Sequence, residues 1–276
     1  MIKDIIVNLA LVPDHDPAVP FAASIAQRFE AHLTGVVFVY DPVVAPSVMD
    51  GVSTDWIDAQ RRESQALAKS AAERFEQAAT AAGVGCEHRI VEATLGGATE
   101  MFGRLARRFD LAVVGQREPD RVSPIDMFTE AALFESGRPI VIVPYIQKQG
   151  LTLDHVMVCW DGSKPAARAV ADALPFLRLA RKVDVVMVAT GRTRSDEVPG
   201  ADLGRHLARH GIKVEVKRIV ADDVDVPSTL LSYAADVSAD MIVMGGYGHS
   251  RLREFVLGGA TRGMLAAMTV PVLMSH

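Results

Sequence analysis

Three glycines in the second half of the chain have a spacing that could bind an anion. Gly245 is followed by Gly248 after two residues and by Gly258 after nine more, where a helix is predicted to start. Glycines let backbone N–H groups approach an anion, and a helix amino terminus adds partial positive charge. Arg251 and Arg253 add cationic groups between them. The pattern predicts a phosphate-binding loop, although turn glycines with a close helix–strand contact would have the same spacing.

A second loop of interest carries Asp161, Gly162 and Ser163 directly after an apolar run. In an open parallel sheet, ligands bind beyond the carboxyl ends of the strands, where the strand order reverses. Both loops follow predicted strands, so both are candidate ligand contacts. The residues also allow Asp161 to be only a turn residue or a cap for the helix that starts near Lys164–Pro165.

The elements that must position these loops alternate between short β-branched runs and helix-length amphipathic segments, a pattern typical of βαβ units. In the first half we predict strands at 5–7, 36–39, 87–91, 111–114 and 140–143, and helices at 17–28, 54–82 and 99–108. In the second half we predict strands at 156–159, 185–188, 214–220, 241–244 and 270–274, and helices at 165–179, 201–210, 227–238 and 258–267.

The two halves form an internal repeat. The segment D-L-A-V-V-G at 110–115 matches D-M-I-V-M-G at 240–245, and the segments at 89–91 and 218–220 match as R-I-V. The first half is longer because of its helix at 54–82. We therefore predict two tandem α/β domains at 1–147 and 151–276, each a doubly wound, five-stranded parallel sheet flanked by helices.

The composition is that of a folded, acidic protein. Of the 276 residues, 49% are hydrophobic and 23% charged, which excludes a disordered or fibrous chain. The net charge of −5 argues against nucleic acid as the main partner. No apolar run approaches the ~18 residues of a membrane span. Cys86 and Cys159 form no metal-binding or redox motif. We expect a cytoplasmic protein with neither a nucleic-acid nor a membrane partner.

Two other patterns are weaker. Ser250 lies in a partial hydrolase elbow, whose fifth position is Leu252 instead of glycine. His206 and His210 are one helical turn apart, as zinc-binding pairs are, but Leu207 stands where the zinc motif has glutamate. We therefore assign no catalytic residue and no metal ligand.

With both loops and the repeat in view, the sequence resembles a tandem, two-domain member of the universal stress protein (UspA) family. The resemblance covers the whole chain by element order, and the second half also by motif. The family's nucleotide-binding members carry G-x2-G-x9-G-[S/T], which Gly245, Gly248 and Gly258 match. Gly259 stands where the family has a hydroxyl residue, and Thr261 could substitute for it. The resemblance implies Rossmann-like (HUP-type) domains.

The resemblance further implies that ATP or another adenine nucleotide binds to the second domain, with or without Mg²⁺. It implies a nucleoside contact from Asp161 and a backbone contact to adenine near Val188 and Ala189. The implied ribose contacts are Met244 and Gly245, and the implied phosphate contacts are Gly248, Gly258, Gly259 and Ala260.

The first half of the chain lacks these nucleotide-binding residues. In the repeat, Glu118 stands where the second half has Gly248, and Asp126 where it has Gly258. Two carboxylates facing a triphosphate would repel it. The first predicted strand is also not followed by D-G-S. We predict a first domain that is nucleotide-free and mainly structural.

Three hypotheses for function follow. The first is a cytoplasmic stress-response protein that binds an adenine nucleotide in its second domain. The second is a scaffold of the same fold whose glycine loop only packs. The third is a slow ATP hydrolase, for which His249 would be the candidate base.

The resemblance also predicts the assembly, because single-domain relatives dimerise through their last strand. The apolar segments 140–143 and 272–274 are therefore expected to pair within the chain as a pseudo-dimer. A further homodimer through another surface is also expected.

Overall fold

The computed structural model describes residues 1–11, 16–40, 54–119, 124–189, 200–221, 225–246 and 259–276. The chain divides into two compact units. Unit 1 comprises Met1–Gly115 and Arg121–Arg138, and unit 2 comprises Gln116–Asp120 and Pro139–His276. Among the described helices, none is both long enough and apolar enough to cross a lipid bilayer.

Unit 1 is a parallel sheet with helices. Its strands are β1 (Asp4–Asn8), β2 (His32–Tyr40), β3 (Cys86–Ala93) and β4 (Leu111–Gly115), in the spatial order β3-β2-β1-β4. Its helices are α1 (Ala18–Phe29), α2 (Thr54–Ala81), α3 (Leu95–Ala106) and α4 (Ile125–Glu135). The central strands are almost continuously apolar because a parallel sheet covered by helices is buried on both faces. An aromatic cluster joins β2 to α3 and α4, with Phe128 5.4 Å from Phe38 and 5.7 Å from Phe102 between ring centroids.

The long helix α2 packs through one apolar stripe, whose buried residues are Ala68, Ala71, Ala72, Phe75 and Ala79. Phe75 lies over Gly35 of β2, where an added Cβ would be 3.0 Å from three carbons of the ring. Glycine at position 35 therefore makes the space into which the Phe75 ring packs. Helix α2 thus packs as an amphipathic helix.

Unit 2 repeats the architecture. Its strands are β5 (Ile140–Val143), β6 (His155–Cys159), β7 (Lys182–Ala189), β8 (Val214–Val220), β9 (Met241–Gly245) and β10 (Val272–Ser275), in the spatial order β5-β10-β9-β6-β7-β8. Its helices are α5 (Lys164–Leu177), α6 (Ala201–Arg209), α7 (Val226–Asp236) and α8 (Gly259–Ala267). Two helices begin as their sequences indicate. Ser163 caps α5 and Asp225 caps α7, each followed by proline in the first turn.

The α/β class with mostly parallel strands is confirmed, and one strand is placed differently from the prediction. Residues 140–143 were expected to close a first domain that ends at 147, but β5 belongs to the compact unit 2. The reason is its antiparallel pairing with β10, in which Val141 faces Leu273. The strand pairing predicted for these two segments is therefore confirmed.

Gln116 explains why a short segment after β4 also belongs to unit 2. Its backbone N–H donates to Val143 O at 2.7 Å, and its side-chain Nε2 donates to Leu265 O at 2.8 Å. Its Oε1 accepts from the Tyr145 N–H at 3.3 Å. One side chain thus ties the end of β5 to α8.

We expect the amide hydrogens of β10 to exchange much more slowly than those of β8. β10 has a strand on each side, whereas β8 pairs only with β7 among the described strands, which leaves its outer amides unpaired. Native-state hydrogen exchange followed by NMR measures both strands in one sample. Equal exchange rates in β10 and β8 would contradict the pairing of β10 with β5.

Candidate functional site

Three strands of unit 2 bring predicted site residues to one edge of the sheet. β6, β7 and β9 are parallel, so their carboxyl ends at Cys159, Ala189 and Gly245 lie on the same side. Asp161 follows β6 by two residues. Val188 and Ala189 end β7, and Met244 and Gly245 end β9. These five predicted residues therefore share the edge at which open α/β sheets bind ligands.

Asp161 is exposed and shapes its own loop. Its Oδ1 accepts a hydrogen bond from the Ser163 N–H at 2.9 Å, and Gly162 between them has φ +75°. Ser163, and not Asp161, caps α5, because its Oγ accepts from the Ala166 N–H at 3.3 Å. The second carboxylate oxygen of Asp161 has no partner among the described residues. Asp161 is thus a turn residue that still presents an acceptor to solvent.

Gly245 lies against the backbone of the first turn of α5. A Cβ at this position would be 2.6 Å from the carbonyl carbon of Pro165 and closer still to Ala166 N. No side chain fits there, so this glycine is required by packing. The spacing of the glycines is also compatible with a close helix–strand contact that needs no ligand, and such a contact is present at Gly245. It also holds the Asp161 loop beside the end of β9.

The ends of β7 and β9 offer a mainly apolar surface. Met244 and Ala189 are buried, and Val188 is half-buried. The Ala189 carbonyl already accepts from the Ala221 N–H at 3.0 Å. The accessible side chain among these three is that of Val188.

The start of α8 holds the remaining described site residues. Gly259 and Ala260 are exposed, and an added Cβ on Gly259 would meet nothing within 4 Å. Thr261 is only 3% exposed, so the hydroxyl suggested as a substitute for the family's hydroxyl residue is buried. The other residues of the predicted loop lie outside the described residues: Gly248, His249, Ser250, Arg251, Arg253 and Gly258.

Cys159 lies two residues before Asp161 and remains a thiol. Burial, together with the nearby Asp161 carboxylate, raises the pKa of the Cys159 thiol to about 12. A thiol is a weak nucleophile compared with a thiolate. Thiolate chemistry at this edge is therefore suppressed at neutral pH.

The corresponding edge of unit 1 is occupied by the chain's own polar groups. Asp16, before α1, accepts hydrogen bonds from the Ala10 N–H at 2.9 Å and the Ala18 N–H at 3.2 Å, and burial raises its pKa. Arg74 of α2 donates to Ala10 O at 3.3 Å. Sequence reasoning missed Asp16, although an aspartate just before a predicted helix is a start signal.

Helix α4 carries the acid that the repeat predicts. Asp126 lies in its first turn and is exposed. A carboxylate here already interacts with the positive end of the α4 dipole. In unit 2, helix α8 begins at Gly259, which carries no charge. The structure thus adds a physical reason for the predicted difference between the two halves.

His206 and His210 lie together, with ring centroids 4.8 Å apart. The His210 Nδ1 is 3.3 Å from Nη2 of Arg178, a cation that opposes a bound metal ion. Among the described residues, no group of three or more His, Cys, Asp or Glu side chains could hold a metal.

We expect Gly245→Ala to destabilise unit 2, because its Cβ would overlap the α5 backbone. The cost is on the order of 3 kcal/mol, since backbone cannot move aside as a side chain can. Gly115→Ala is the matched control at the end of β4, where the new Cβ would lie 4.0 Å from Ala18 Cβ. Urea unfolding measures both variants, and equal destabilisation would contradict the contact.

The chain has relatives among known proteins. Residues 152–276 match the model of the universal stress protein family. A universal stress protein of Synechocystis sp. is 30% identical over 171 residues, which are 60% of this chain and 57% of that protein. The chain thus spans little more than half the length of this relative.

Solved structures share the fold. A universal stress protein from Archaeoglobus fulgidus DSM 4304 superposes with a TM-score of 0.73 at 15% identity, over 98% of this chain and 95% of that one. A protein of unknown function from Pseudomonas aeruginosa PAO1 gives a TM-score of 0.63 at 15% identity, over 99% and 92%. At these identities the likeness concerns the fold alone. By sequence, the match to the universal stress protein family covers residues 152–276, which lie in unit 2.

Proposed function

We propose that unit 2 binds an adenine nucleotide at the carboxyl edge of its sheet, and that the chain acts in the cytoplasm as a nucleotide-binding stress-response protein. The observation that carries the proposal is the exposed Asp161 carboxylate, held beside the end of β9 by the contact of Gly245 with α5. A carboxylate in this place accepts hydrogen bonds from a nucleoside, and such charge-assisted bonds are stronger than neutral ones.

The base and the phosphates have separate surfaces in this proposal. The adenine ring would lie against Val188 and Ala189, and the ribose against Met244 and Gly245. The phosphates would extend toward Gly248, Gly258 and the start of α8, where exposed Gly259 and Ala260 leave backbone N–H groups accessible. A Mg²⁺ ion would enter with the phosphates.

Catalysis is not part of the proposal. The described residues at this edge offer Asp161 as an acceptor, and Cys159 is held as a thiol. A general base for hydrolysis would have to come from His249, which lies outside the described residues.

A scaffold without nucleotide is the second candidate function. The packing of Gly245 against α5 accounts for one motif glycine without any ligand. Unit 1, with Asp16, Arg74 and Asp126 at its own edge, is proposed as nucleotide-free in either case. Further self-association of the chain, as a homodimer, remains a prediction.

We expect Asp161→Asn to weaken ATP, ADP and AMP by a similar factor of about tenfold, the size of one charge-assisted hydrogen bond. The adenosine is common to all three nucleotides. Asparagine keeps an oxygen that can accept from the Ser163 N–H, so the loop is preserved. Isothermal titration of wild type and variant with each nucleotide measures the effect. Failure of wild type to bind any of the three would refute the nucleotide proposal and favour the scaffold.

Gly259→Ser would restore the family's hydroxyl residue at a position with room for it. Nothing lies within 4 Å of the added Cβ, and we expect ATP affinity to rise about fivefold with little change for adenosine. Ala260→Ser, one position along, is the control. Competition binding measures the affinities of the variant for ATP and for adenosine. An equal gain in affinity for both ligands would mean that the phosphates do not bind at Gly259.

A further inference from the structure

Gln116 holds the carboxyl end of helix α8, whose amino end is the proposed phosphate-binding end. Its side-chain Nε2 donates to the Leu265 carbonyl oxygen at 2.8 Å in a partly buried hydrogen bond, which we call the Gln116 tether. Its Oε1 accepts from the Tyr145 N–H at 3.3 Å, and its backbone N–H donates to Val143 O at 2.7 Å. Each side-chain atom faces a partner of the opposite kind, so the orientation of the amide is fixed. Gln116 is therefore anchored to the end of β5 as well as to α8.

The Leu265 carbonyl belongs to the last turn of α8. The last four carbonyl groups of a helix find no donor within the helix. Among the described residues, the Met268 N–H closes the final turn on Met264 O at 2.8 Å, and Gln116 supplies the donor for Leu265 O. The tether thus gives this carbonyl a partner that the helix itself lacks.

Between its two ends, α8 rests on the first turn of α7. The Gly263 backbone lies so close to the Pro227 ring that an added Cβ would be 2.7 Å from Pro227 Cγ. With a rise of about 1.5 Å per residue, Leu265 lies about 3 Å beyond Gly263 along the helix axis, and Gly259 lies about 6 Å before it. A rotation of α8 about this contact therefore moves Gly259 roughly twice as far as Leu265.

The described residues of unit 1 contain no counterpart of the tether. By the repeat, Gly246 corresponds to Gln116, and its N–H donates to the last strand at Ser275 O, 2.9 Å away. Glycine has no side chain that could reach a helix. The end of α4, which corresponds to α8 by element order, is bonded from within unit 1, where Arg107 Nε donates to Glu135 O at 2.7 Å. The tether is thus found on the unit that carries the proposed nucleotide site.

We propose that Gln116 is a positioning residue for nucleotide binding, because it fixes the tilt of α8 and with it the backbone N–H groups of Gly259 and Ala260. This inference rests on the proposed nucleotide site. No hydrogen bond among the described residues joins Gln116 to Asp161 or to the ends of β7 and β9, where the nucleoside is proposed to bind. The effect of Gln116 should therefore increase with the number of phosphates and be absent for adenosine.

Gln116→Met tests the tether, because methionine has a similar length and no amide group. We expect the affinity for ATP to fall about fivefold, the size of one neutral hydrogen bond, and that for adenosine to change by less than about twofold. Gln147→Met is the matched control, since Gln147 Nε2 donates to Gln149 O at 2.9 Å in a solvent-exposed bond on the loop after β5. This control should bind both ligands as the wild type does. Isothermal titration measures all the affinities.

The comparison of ATP with adenosine separates positioning from a general loss of stability. A variant that only unfolds more readily has fewer intact sites, but the ratio of its affinities for the two ligands does not change. Equal weakening of both ligands in Gln116→Met, or an unchanged affinity for ATP, would overturn the positioning role. A wild type that binds neither ligand would refute the proposed nucleotide site instead.

NMR of the ligand-free protein tests the placement of α8 without any nucleotide. Gln116→Met should shift the backbone amide resonances of Gly259 and Ala260 and leave that of Ser163, in the Asp161 loop, unchanged. Gln147→Met should leave all three unchanged. If the Gly259 and Ala260 resonances of Gln116→Met match those of the wild type, Gln116 does not place α8, whatever the titrations give.

A measurement on the wild type covers the case in which Gln116→Met does not fold. Coupling between two sites is reciprocal, so phosphates bound at the start of α8 should in turn strengthen the tether. We expect the side-chain amide hydrogens of Gln116 to exchange with solvent more slowly in the presence of ATP than in the presence of adenosine. Equal exchange with the two ligands would contradict the coupling.

Discussion

At the carboxyl end of β9 there is no room for a side chain, because the backbone of α5 passes directly over it. An added Cβ on Gly245 would lie 2.6 Å from the carbonyl carbon of Pro165. This approach fixes the first turn of α5 relative to β9, and with it the Asp161–Ser163 turn that precedes the helix. The geometry of the candidate site therefore depends on a contact between two backbones, which is stiffer than one between side chains.

The two units carry the same fold and use its edges differently. In unit 1 the edge beyond β1 is occupied by Asp16 and Arg74, and the amino end of the sheet is an open cleft. In unit 2 the carboxyl edge presents an accessible carboxylate, and the amino end is closed by His155, Asp184 and Tyr233. Each unit thus fills one end of its sheet with its own polar side chains and leaves the other end accessible.

Most strands and helices could be predicted from the sequence because their apolar residues recur with the period of the element. Helix α4 could not. Its inner face, with Phe128 and Leu133, is buried, but Met127 and Phe134 on the outside are also apolar, which conceals the helical period. The start of β7 was placed late for the opposite reason: Lys182 and Asp184 interrupt an otherwise apolar run although both belong to the strand.

The parts of the site that follow from local sequence were predictable, and those that depend on packing between elements were not. The position of Asp161 after a strand and before a helix is visible in the sequence. The burial of Thr261 is not, because it depends on what packs against α8. Likewise, the meeting of His155 with Asp184 depends on the register of β6 and β7, and that of Asp184 with Tyr233 on how α7 covers the sheet.

The pairing of β5 with β10 has a consequence for biogenesis. During translation β5 leaves the ribosome before every other strand of unit 2, yet its neighbour within unit 2 is β10, which is synthesised after all of them. Until then the apolar I-V-I-V segment of β5 has an unsatisfied backbone edge in the nascent chain, the kind of edge that nucleates aggregation. A ribosome that stalls before β10 would therefore release a fragment with this edge uncovered, a substrate for chaperones and proteases.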